Sequence, residues 1–469
     1  MSRLYSYLLV AALAVLAACR PGPPAVECAP PAPAAYTVRH PKWADSASIY
    51  EVNIRQYTPE GTFRAFERHL PRLDSMGVGI LWLMPVQPIG QLKRKGTLGS
   101  QYSVCDYRAV NTEFGTLADL RHLIQAAHQR RMHVILDWVA NHTSWDSQLA
   151  QQHPDWFTRN AQGQFQPPVA DWQDVIDLDY SKPALRRYMT ESMAYWVRDV
   201  GFDGFRCDVA GLVPTNFWNA TRAELERIKP VFLLAEWDEL HDPPFLKKGQ
   251  FTPNTHLLEK AFDATYALRL RYLLDSIGRG QQPATALDAY RRVERAKYPA
   301  TAYLMNFTSS HDINSWDGTE YERLGLDAQP QAVLTALLPG IPMVYSGQEA
   351  ALQKRLRFFD KDTIPWNNYP LQDFYTRLLQ LKKRHPALRN GDPCSQFTRL
   401  AAPDGVYAFT RTKNGAAVFT AVNFTDTPQT VQPATTGRFL DVFSDDTVEL
   451  TPREKLLVPA RGWRVLEKQ

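Results

Sequence analysis

Residues 134–142 read VILDWVANH, a short apolar run rich in β-branched residues that ends in polar side chains. A run of this length and composition is typical of a buried strand in a parallel sheet. Seven similar runs occur along the chain, and amphipathic, helix-like segments separate most of them. In chain order, the eight strand candidates are residues 49–54, 80–84, 134–139, 204–209, 231–236, 261–266, 303–308 and 341–345.

Eight strands separated by helices predict an α/β protein whose parallel βα units close into a (β/α)8 TIM barrel. Several helix-like segments begin at or directly after Pro or Thr, which are usual helix start residues. These segments are residues 117–130, 183–200, 217–228, 285–296 and 331–338. An open doubly wound sheet is the alternative, but it usually has fewer strands and a glycine-rich phosphate loop. The sequence contains no GxGxxG or GxxxxGK[ST] motif.

Two stretches depart from this alternation. Residues 143–180 are rich in Trp, Asp, Gln and Pro with little periodicity, so we expect a short inserted B domain above the barrel mouth. After about Gly391 short runs alternate with turn signals, which predicts a C-terminal antiparallel β-sandwich domain over residues 391–469. The barrel is then expected to occupy residues 41–142 and 181–390.

The composition is that of a soluble, enzyme-sized chain. Of the 469 residues, 44% are hydrophobic and 22% are charged, which excludes a disordered chain and a membrane protein with many spans. The 53 basic residues nearly balance the 49 acidic ones, and no long basic run occurs. The sequence therefore does not indicate a nucleic-acid partner, and a neutral or small ligand is expected.

The amino terminus predicts export. Residues 1–19, MSRLYSYLLVAALAVLAAC, contain an apolar stretch that is shorter than the about 20 residues of a membrane span, so we expect a signal peptide. Its end, LAAC, resembles the lipobox of bacterial lipoproteins, in which the Cys, here Cys19, carries the lipid. An ordinary secretory signal is the alternative. Residues 20–40 are rich in proline and would form an extended tether. We expect a membrane-anchored lipoprotein at the cell surface or in the periplasm, with membrane contact only through Cys19.

The remaining cysteines are Cys28, Cys105, Cys207 and Cys394, and they form no CxxC pair. This spacing indicates neither a zinc site nor a disulfide framework, and it leaves a single disulfide open. Because side chains alternate along a strand, Cys207 is expected to face the helices and pack in the core.

Catalytic groups of a (β/α)8 barrel lie where the strands end and enter their loops. Four predicted strand ends carry carboxylates: DWVANH at 137–142, GFRCD at 204–208, AEW at 235–237 and FTSSHD at 307–312. Taken singly, each of these strings is more often a loop cap, an ion pair or a satisfied hydrogen bond. All four together at the mouth of one barrel favour an active site.

These four motifs, in this order, resemble the DxxxNH, GxRxD, glutamate and His-Asp segments of the α-amylase family of glycoside hydrolases. GILWLMP at 79–85, QYSVCDY at 101–107 and GIPMVYSGQE at 340–349 add to the resemblance. It covers roughly residues 41–390 and implies cleavage of α-1,4-glucosidic bonds. The implied partner is a starch-type α-glucan or a maltooligosaccharide.

The residue types suit that reaction. A retaining glycoside hydrolase needs a nucleophilic carboxylate and an acid carboxyl group about 5–5.5 Å apart, and neighbouring strands lie about 4.8 Å apart. Asp208 and Glu236, at the ends of adjacent strands, are expected to fill these roles. Arg206 lies on the same face as Asp208 and is expected to keep it ionised. Glu236 needs a raised pKa, which burial beside Trp237 would supply.

The resemblance assigns further residues to the cleavage subsite. Asp312, across the barrel, would bind sugar hydroxyls and favour the oxocarbenium-like transition state. His142, Arg206 and His311 are implied substrate-binding residues, and Tyr102 would stack under the sugar ring.

The family often binds a structural Ca²⁺ between the barrel and the insertion. Asn141 and Asp177 match two of its ligand positions in this chain. The third position fails, because residues 209–212 read VAGL and bring neither His nor Lys. The resemblance therefore suggests calcium as a cofactor, with two of the three ligand positions matched.

Three functions stay open. The first is a retaining hydrolase of α-glucans or maltodextrins. The second is a glucan transglycosylase or isomerase, since only acceptor access decides whether water or a sugar attacks the covalent intermediate. The third is a catalytically inactive glucan-binding module, which the presence of Asp208, Glu236 and Asp312 disfavours.

Overall fold

A computed structural model describes Cys28 and residues 35–237, 252–451 and 453–469. The expected signal peptide, its Cys19 and most of the expected tether lie outside the described residues. Within the described ranges, no helix has the length and the apolar character that crossing a membrane requires.

Eight short parallel strands close into a barrel, which confirms the predicted (β/α)8 fold. Around the barrel the strands run in the order β1-β10-β9-β8-β7-β6-β3-β2. In chain order the first ten strands are β1 (Ile49–Val52), β2 (Ile80–Leu83), β3 (His133–Trp138), β4 (His142–Ser144), β5 (Val175–Asp177), β6 (Gly204–Cys207), β7 (Phe232–Ala235), β8 (Ala264–Tyr266), β9 (Tyr303–Asn306) and β10 (Ile341–Tyr345).

Helices surround the barrel, and the five predicted helical segments are confirmed with small shifts at their ends. They are α1 (Ile54–Tyr57), α2 (Phe63–Glu67), α3 (Leu70–Met76), α4 (Leu117–Gln129), α5 (Gln148–Gln152), α6 (Pro183–Tyr195), α7 (Thr215–Glu226), α8 (Asn254–Lys260), α9 (Leu268–Gly278), α10 (Ala286–Lys297), α11 (Glu320–Leu324), α12 (Ala328–Leu337) and α13 (Gln372–Arg384). The start of α4 shows why the sequence marks these helices. Thr116 accepts a hydrogen bond from the backbone of Asp119, whose side chain accepts one from the backbone of Thr116.

The segment after β3 forms a small sheet of its own above the barrel. β4 and β5 pair antiparallel, with His142 opposite Asp177 and Ser144 opposite Val175. The short helix α5 lies between these two strands in the chain. This insertion therefore begins directly at the strand end that carries Asn141 and His142.

The C-terminal β domain is confirmed as antiparallel. Its strands are β11 (Gln396–Leu400), β12 (Val406–Lys413), β13 (Ala416–Asn423), β14 (Gln429–Val431), β15 (Gly437–Asp441), β16 (Thr447–Leu450), β17 (Leu456–Val458) and β18 (Trp463–Lys468). Six of them form one sheet in the order β11-β12-β13-β18-β15-β16, and β14 pairs with β17. Phe419 and Leu466 of the larger sheet share an apolar cluster with Val431 and Val458 of the smaller one.

A disulfide between Cys28 and Cys394 joins two parts of the chain that are 366 positions apart. The sequence left this pairing open. Cys207 is free and fully buried, as expected, and Cys105 is free and half-buried. The disulfide ties the segment before the barrel to the start of the C-terminal domain.

Buried ion pairs hold the barrel floor, where the strands begin. Asp263, just before β8, accepts hydrogen bonds from Arg222 at 2.5 Å, from the backbone of Leu233 at 2.8 Å and from His40 at 2.8 Å. Asp263 and Arg222 are both buried. Burial alone would raise the pKa of Asp263, but Arg222 and His40 hold it below its ordinary value.

We expect Asp263→Asn to lower the free energy of unfolding by about 3 kcal/mol at pH 7, because it leaves Arg222 buried without a counter-charge. The native pKa of Asp263 is lowered, so its contribution is present above the unfolded pKa of about 4 and is lost as the pH falls below it. The difference between the two proteins in urea denaturation should therefore shrink in acid. Asp199→Asn, which removes half of an exposed pair with Arg198, is the control and should have little effect. Equal losses in both variants would contradict this account.

Candidate active site

One buried guanidinium stands at the carboxyl end of the barrel. Arg206, on β6, is fully buried, and its Nη1 lies 2.7 Å from Asp137 Oδ1 and 3.0 Å from Asp208 Oδ1. Its Nη2 lies 2.7 Å from Glu236 Oε1, and its Nε donates to the Tyr266 hydroxyl at 3.1 Å. Three carboxylates from adjacent strand ends therefore surround one positive charge.

The strand register explains this arrangement. Asp137 on β3 pairs with Arg206 on β6, and Cys207 on β6 pairs with Ala235 on β7. Asp208 and Glu236 are the next residues after this last pair, so they leave adjacent strands side by side. The structure thus brings together the two carboxyl groups that the sequence assigned to catalysis.

The backbone after Asp208 also contacts Glu236. Val209 has a φ of +37°, which is unusual for a β-branched residue, and its N–H donates to Glu236 Oε2 at 2.8 Å. Trp237 lies against Gly211, where any Cβ would approach the indole ring to 2.2 Å. Glycine at 211 therefore leaves room for Trp237. The acid role of Glu236 stays a prediction.

The ionisation of Asp208 differs from the expectation. Burial and the neighbouring Glu236 carboxylate raise the pKa of Asp208 well above its ordinary value, and Arg206 lowers it less. Burial also raises the pKa of Asp137 to about 6. The direction of the effect of Arg206 is the expected one, but the expectation left out burial and Glu236, which act in the opposite direction.

His311 lies between two carboxylates. Its Nδ1 donates to Glu51 of β1, and its Nε2 lies 3.3 Å from Asp312 Oδ2 and 2.9 Å from the Tyr102 hydroxyl. Burial would lower the pKa of His311, but Asp312 and Glu51 raise it well above its ordinary value. The ring is therefore an imidazolium at neutral pH, and Tyr102 accepts from it while donating to Asp137 at 2.9 Å.

Asp312 and His142 complete the set of predicted site residues. Asp312 is partly exposed. Burial would raise the pKa of Asp312, but His311 holds it below its ordinary value. His142 Nε2 lies 3.9 Å from Asp208 Oδ2. Burial lowers the pKa of His142 to about 3, so this ring is neutral. All seven predicted catalytic and substrate-binding residues thus belong to one contact network.

Sequence reasoning missed several members of this network. Glu51 is a lone charged residue within an otherwise apolar predicted strand, which is a signal that could have identified it. Tyr266 ends β8, a strand whose end carries no motif. Phe358 lies in a loop without periodicity, and its ring centroid is 6.2 Å from that of Tyr102 and 5.4 Å from that of the exposed Trp316. These three rings form a run that leads from the buried centre to the surface.

The two expected calcium ligands are close together at the base of the insertion. Leu178, next to Asp177, donates its backbone N–H to the Asn141 carbonyl at 3.1 Å. Burial raises the pKa of Asp177 to about 6. A hydrogen bond that Thr158 donates at 2.7 Å acts in the opposite direction. Within the described ranges no cationic side chain forms an ion pair with Asp177. A half-buried carboxylate without a counter-charge beside a second oxygen donor fits a cation, although Ca²⁺ needs six to eight oxygens.

A second group of metal-capable side chains lies at the barrel floor. His128, His133 and Asp203 bring ligand atoms within 4.8 Å of one another. Asp203 already accepts from His128 at 2.7 Å, from the backbone of Val134 at 2.8 Å and from Lys229 at 2.9 Å. The ammonium group of Lys229 compensates this carboxylate, so hydrogen bonds and an ion pair account for the cluster.

Comparisons with known proteins show which proteins this chain is similar to. A family model for the α-amylase catalytic domain matches residues 42–233. The structure of an α-amylase from Lactobacillus plantarum superposes with a TM-score of 0.82 at 30% identity, covering 91% of this chain and 100% of that one. A maltogenic α-amylase from Thermotoga neapolitana gives a TM-score of 0.79 at 28% identity, covering 91% and 99%.

Curated relatives are longer than this chain. The α-amylase MalA of Haloarcula japonica is 28% identical over 407 residues, which is 83% of this chain but 57% of that protein. A cyclomaltodextrin glucanotransferase from Geobacillus stearothermophilus is 24% identical over 75% of this chain and 52% of its own length. The chain thus spans about half the length of these two relatives. The closed barrel, the carboxylates around Arg206 and the full-length likeness to a solved α-amylase show that this chain belongs to the α-amylase family of glycoside hydrolases.

Proposed function

We propose that the protein is a retaining glycoside hydrolase that cleaves α-1,4-glucosidic bonds in starch-type α-glucans or maltodextrins. The observation that carries this proposal is the attachment of Asp208 and Glu236, from adjacent strands, to the two terminal nitrogens of Arg206. Retaining hydrolases need two carboxyl groups at close range, one as nucleophile and one as acid. The adjacent strand ends supply that arrangement.

The reaction proceeds in two displacements. Asp208 attacks the anomeric carbon while Glu236 gives its proton to the leaving oxygen, which forms a covalent glycosyl-enzyme intermediate. Glu236 then removes a proton from water, the water oxygen attacks the anomeric carbon, and the Asp208 carboxylate leaves. Asp312 and His311 bind hydroxyl groups of the sugar that reacts.

The raised pKa of Asp208 fits this cycle. The charge on Glu236 is a main cause of that rise, second only to burial. A proton on Glu236 removes this charge, so the form that carries the acid proton is also the form in which Asp208 ionises more readily. The raised pKa of Asp208 therefore depends on the charge of Glu236 beside Arg206.

The aromatic run supports an oligosaccharide substrate. The rings of Tyr102, Phe358 and Trp316 follow one another from the buried centre to the surface. Aromatic faces stack on the apolar faces of sugar rings, so this run suits several successive glucose units. The near balance of charge across the chain is consistent with a neutral glucan.

A glucan transglycosylase is the second candidate. The similarity to a cyclomaltodextrin glucanotransferase favours it, and the same covalent intermediate serves both reactions. An inactive binding module is disfavoured because Asp208, Glu236 and Asp312 are all present and meet in one network.

We also propose that the protein is exported as a lipoprotein through Cys19. The disulfide between Cys28 and Cys394 supports export, since such bonds persist in oxidising compartments. The proposed anchor lies nine residues before Cys28.

We expect Asp208→Asn and Glu236→Gln each to lower kcat on maltoheptaose by at least about 10³-fold, because each removes a group that changes bonds in the transition state. Proton NMR of the wild-type reaction should show the α-anomer as the first product. Asp155→Asn, an exposed change in the insertion, is the control and should keep wild-type activity.

Product length separates the two candidate functions in the same assay. Shorter maltooligosaccharides alone support hydrolysis, whereas products longer than maltoheptaose identify transfer. A β-anomer as first product, or substantial activity in either carboxyl variant, would overturn the retaining mechanism.

Glu51→Gln should shift the alkaline limb of the pH profile of kcat to lower pH. Glu51 raises the pKa of His311, so its removal lets the imidazolium lose its proton nearer the ordinary value of about 6.5. We expect about a tenfold loss of kcat at pH 8 and near wild-type activity at pH 5.5. Glu60→Gln, at an exposed carboxylate, is the control. A uniform loss at all pH values would show that Glu51 has only a structural role.

We propose that Asn141 and Asp177 hold a structural Ca²⁺. A chelator should then lower the melting temperature of the wild type, and Asp177→Asn should remove this response. The pKa of Asp177 is about 6, so calcium affinity should increase as the pH rises through that value. Asp155→Asn should respond to the chelator like the wild type. An unchanged wild-type melting temperature in chelator would refute the site.

A further inference from the structure

A cavity of about 570 Å³ lies between the barrel floor and the C-terminal β domain. Arg291 of α10, Leu304 of β9, Gly340 just before β10, Phe397 of β11 and Arg411 of β12 are among the residues that line it. The segments that lead into β9 and β10, residues 298–302 and 338–340, contribute to the lining, so the cavity lies at the end opposite the proposed catalytic carboxylates. It is therefore separate from the active site.

Four arginines line this cavity: Arg291, Arg295, Arg389 and Arg411. Within the part of the chain that the structure describes, none of them forms an ion pair with a carboxylate. The two acidic residues of the lining are engaged with other cations. Glu294 lies 3.6 Å from Arg269, and Asp392 pairs with Lys413. The cavity thus carries positive charge that the described residues do not neutralise.

Arg411 is the most deeply buried of the four, with 3% of its surface exposed. Its Nε and Nη2 donate to Ser395 Oγ at 3.3 and 2.8 Å, and its Nη1 donates to the Leu337 carbonyl at 3.2 Å. A guanidinium carries five N–H donors, so these three bonds leave donors available. All three acceptors are neutral groups, and Asp392, the carboxylate whose charge favours that of Arg411, is itself paired with Lys413.

Arg291 is the second arginine in the interior of the cavity. Its guanidinium carbon lies 3.5 Å from the centroid of the Phe397 ring, and this stacking fixes the plane of the guanidinium group. It is half-buried and forms no hydrogen bond with the described part of the chain. Its donors are therefore available to a molecule in the cavity.

The charge on Arg291 disfavours the charged form of Arg411. Burial lowers the pKa of Arg411 to about 9, and the charge on Arg291 lowers it further in the same direction. Burial also lowers the pKa of Arg291 to about 10, with a contribution from Arg295. Confining like charges away from water is costly unless an anion joins them.

We propose that this cavity binds an oxyanion of the phosphate type through Arg291 and Arg411. Guanidinium forks match the geometry of phosphate oxygens, and two of them can hold one tetrahedral group. The volume exceeds that of a free ion, so the phosphate belongs to a larger molecule. Tyr290 and Tyr298 supply aromatic surface for its uncharged part.

Two sources of such a phosphate fit the cavity: a soluble phosphate ester and the headgroup of an anionic lipid. Cys28 lines the cavity, and the proposed lipid at Cys19 is nine residues away, a distance of at most about 32 Å. A membrane surface is therefore within reach if the anchor is present. The experiment below distinguishes the two sources.

The test compares melting temperatures in sodium phosphate and in sodium chloride of equal ionic strength. Phosphate should raise the melting temperature of the wild type by about 2 °C near saturation, because it binds the folded state only. Arg291→Gln should abolish this rise, and Arg291→Lys should retain part of it. Arg292→Gln is the matched control, since Arg292 is the exposed neighbour on α10 and carries the same charge.

The difference in melting temperature between phosphate and chloride decides the outcome. In Arg291→Gln, the loss of packing on Phe397 would shift the melting temperature equally in both salts and would leave this difference unchanged. Activity on maltoheptaose should stay unchanged in Arg291→Gln. The proposal would be overturned if the wild type showed no phosphate response and bound the phosphatidylglycerol and phosphatidylcholine vesicles described below equally. Equal phosphate responses in Arg291→Gln and Arg292→Gln would also overturn it.

Sedimentation with vesicles then identifies the source. A lipid at Cys19 would contribute equally to binding of phosphatidylglycerol and phosphatidylcholine vesicles. Stronger binding to phosphatidylglycerol, weakened by Arg291→Gln but not by Arg292→Gln, assigns the cavity to a lipid headgroup. A phosphate response without this lipid preference assigns it to a soluble phosphate ester. Either result supports the oxyanion site.

Discussion

A buried guanidinium must be neutralised, and this requirement organises the carboxyl end of the barrel. Arg206 is surrounded by Asp137, Asp208 and Glu236, each from a different strand end. Because a buried charge without partners costs several kcal/mol, the register of these strands is coupled to the geometry of the site. The same contacts that stabilise Arg206 hold Asp208 and Glu236, the two carboxyl groups proposed for catalysis, at neighbouring positions.

This shared cation also controls proton affinity. Three carboxylates around one Arg206 cannot all be ionised without strong repulsion, so burial and mutual charge raise the pKa of Asp208 and of Asp137. His311 supplies a second cation at the edge of the group, because Glu51 and Asp312 hold its proton. Burial and the neighbouring carboxylates therefore favour retention of a proton within this group, at the cost of local electrostatic stability.

The two ends of the barrel differ in how their charges are balanced. At the floor, Asp263 meets Arg222, and Asp203 meets Lys229, so these buried carboxylates are compensated and serve stability. The cavity around Arg411 is the exception at that end. Among the described residues Arg411 forms no ion pair, and its hydrogen bonds go to neutral acceptors.

The sequence by itself determined the barrel, its eight strands and the carboxylates at four strand ends. These features are local, since an apolar run of a given length predicts a strand and parallel strands end at one edge. It could not determine that Glu51 binds His311 across 260 positions, or that Arg291 and Arg411 line one cavity. It also left out the burial and the neighbouring carboxylates that raise the pKa of Asp208. Only the tertiary structure decides such properties, since burial and charge act through space and sum over residues that are distant in the chain.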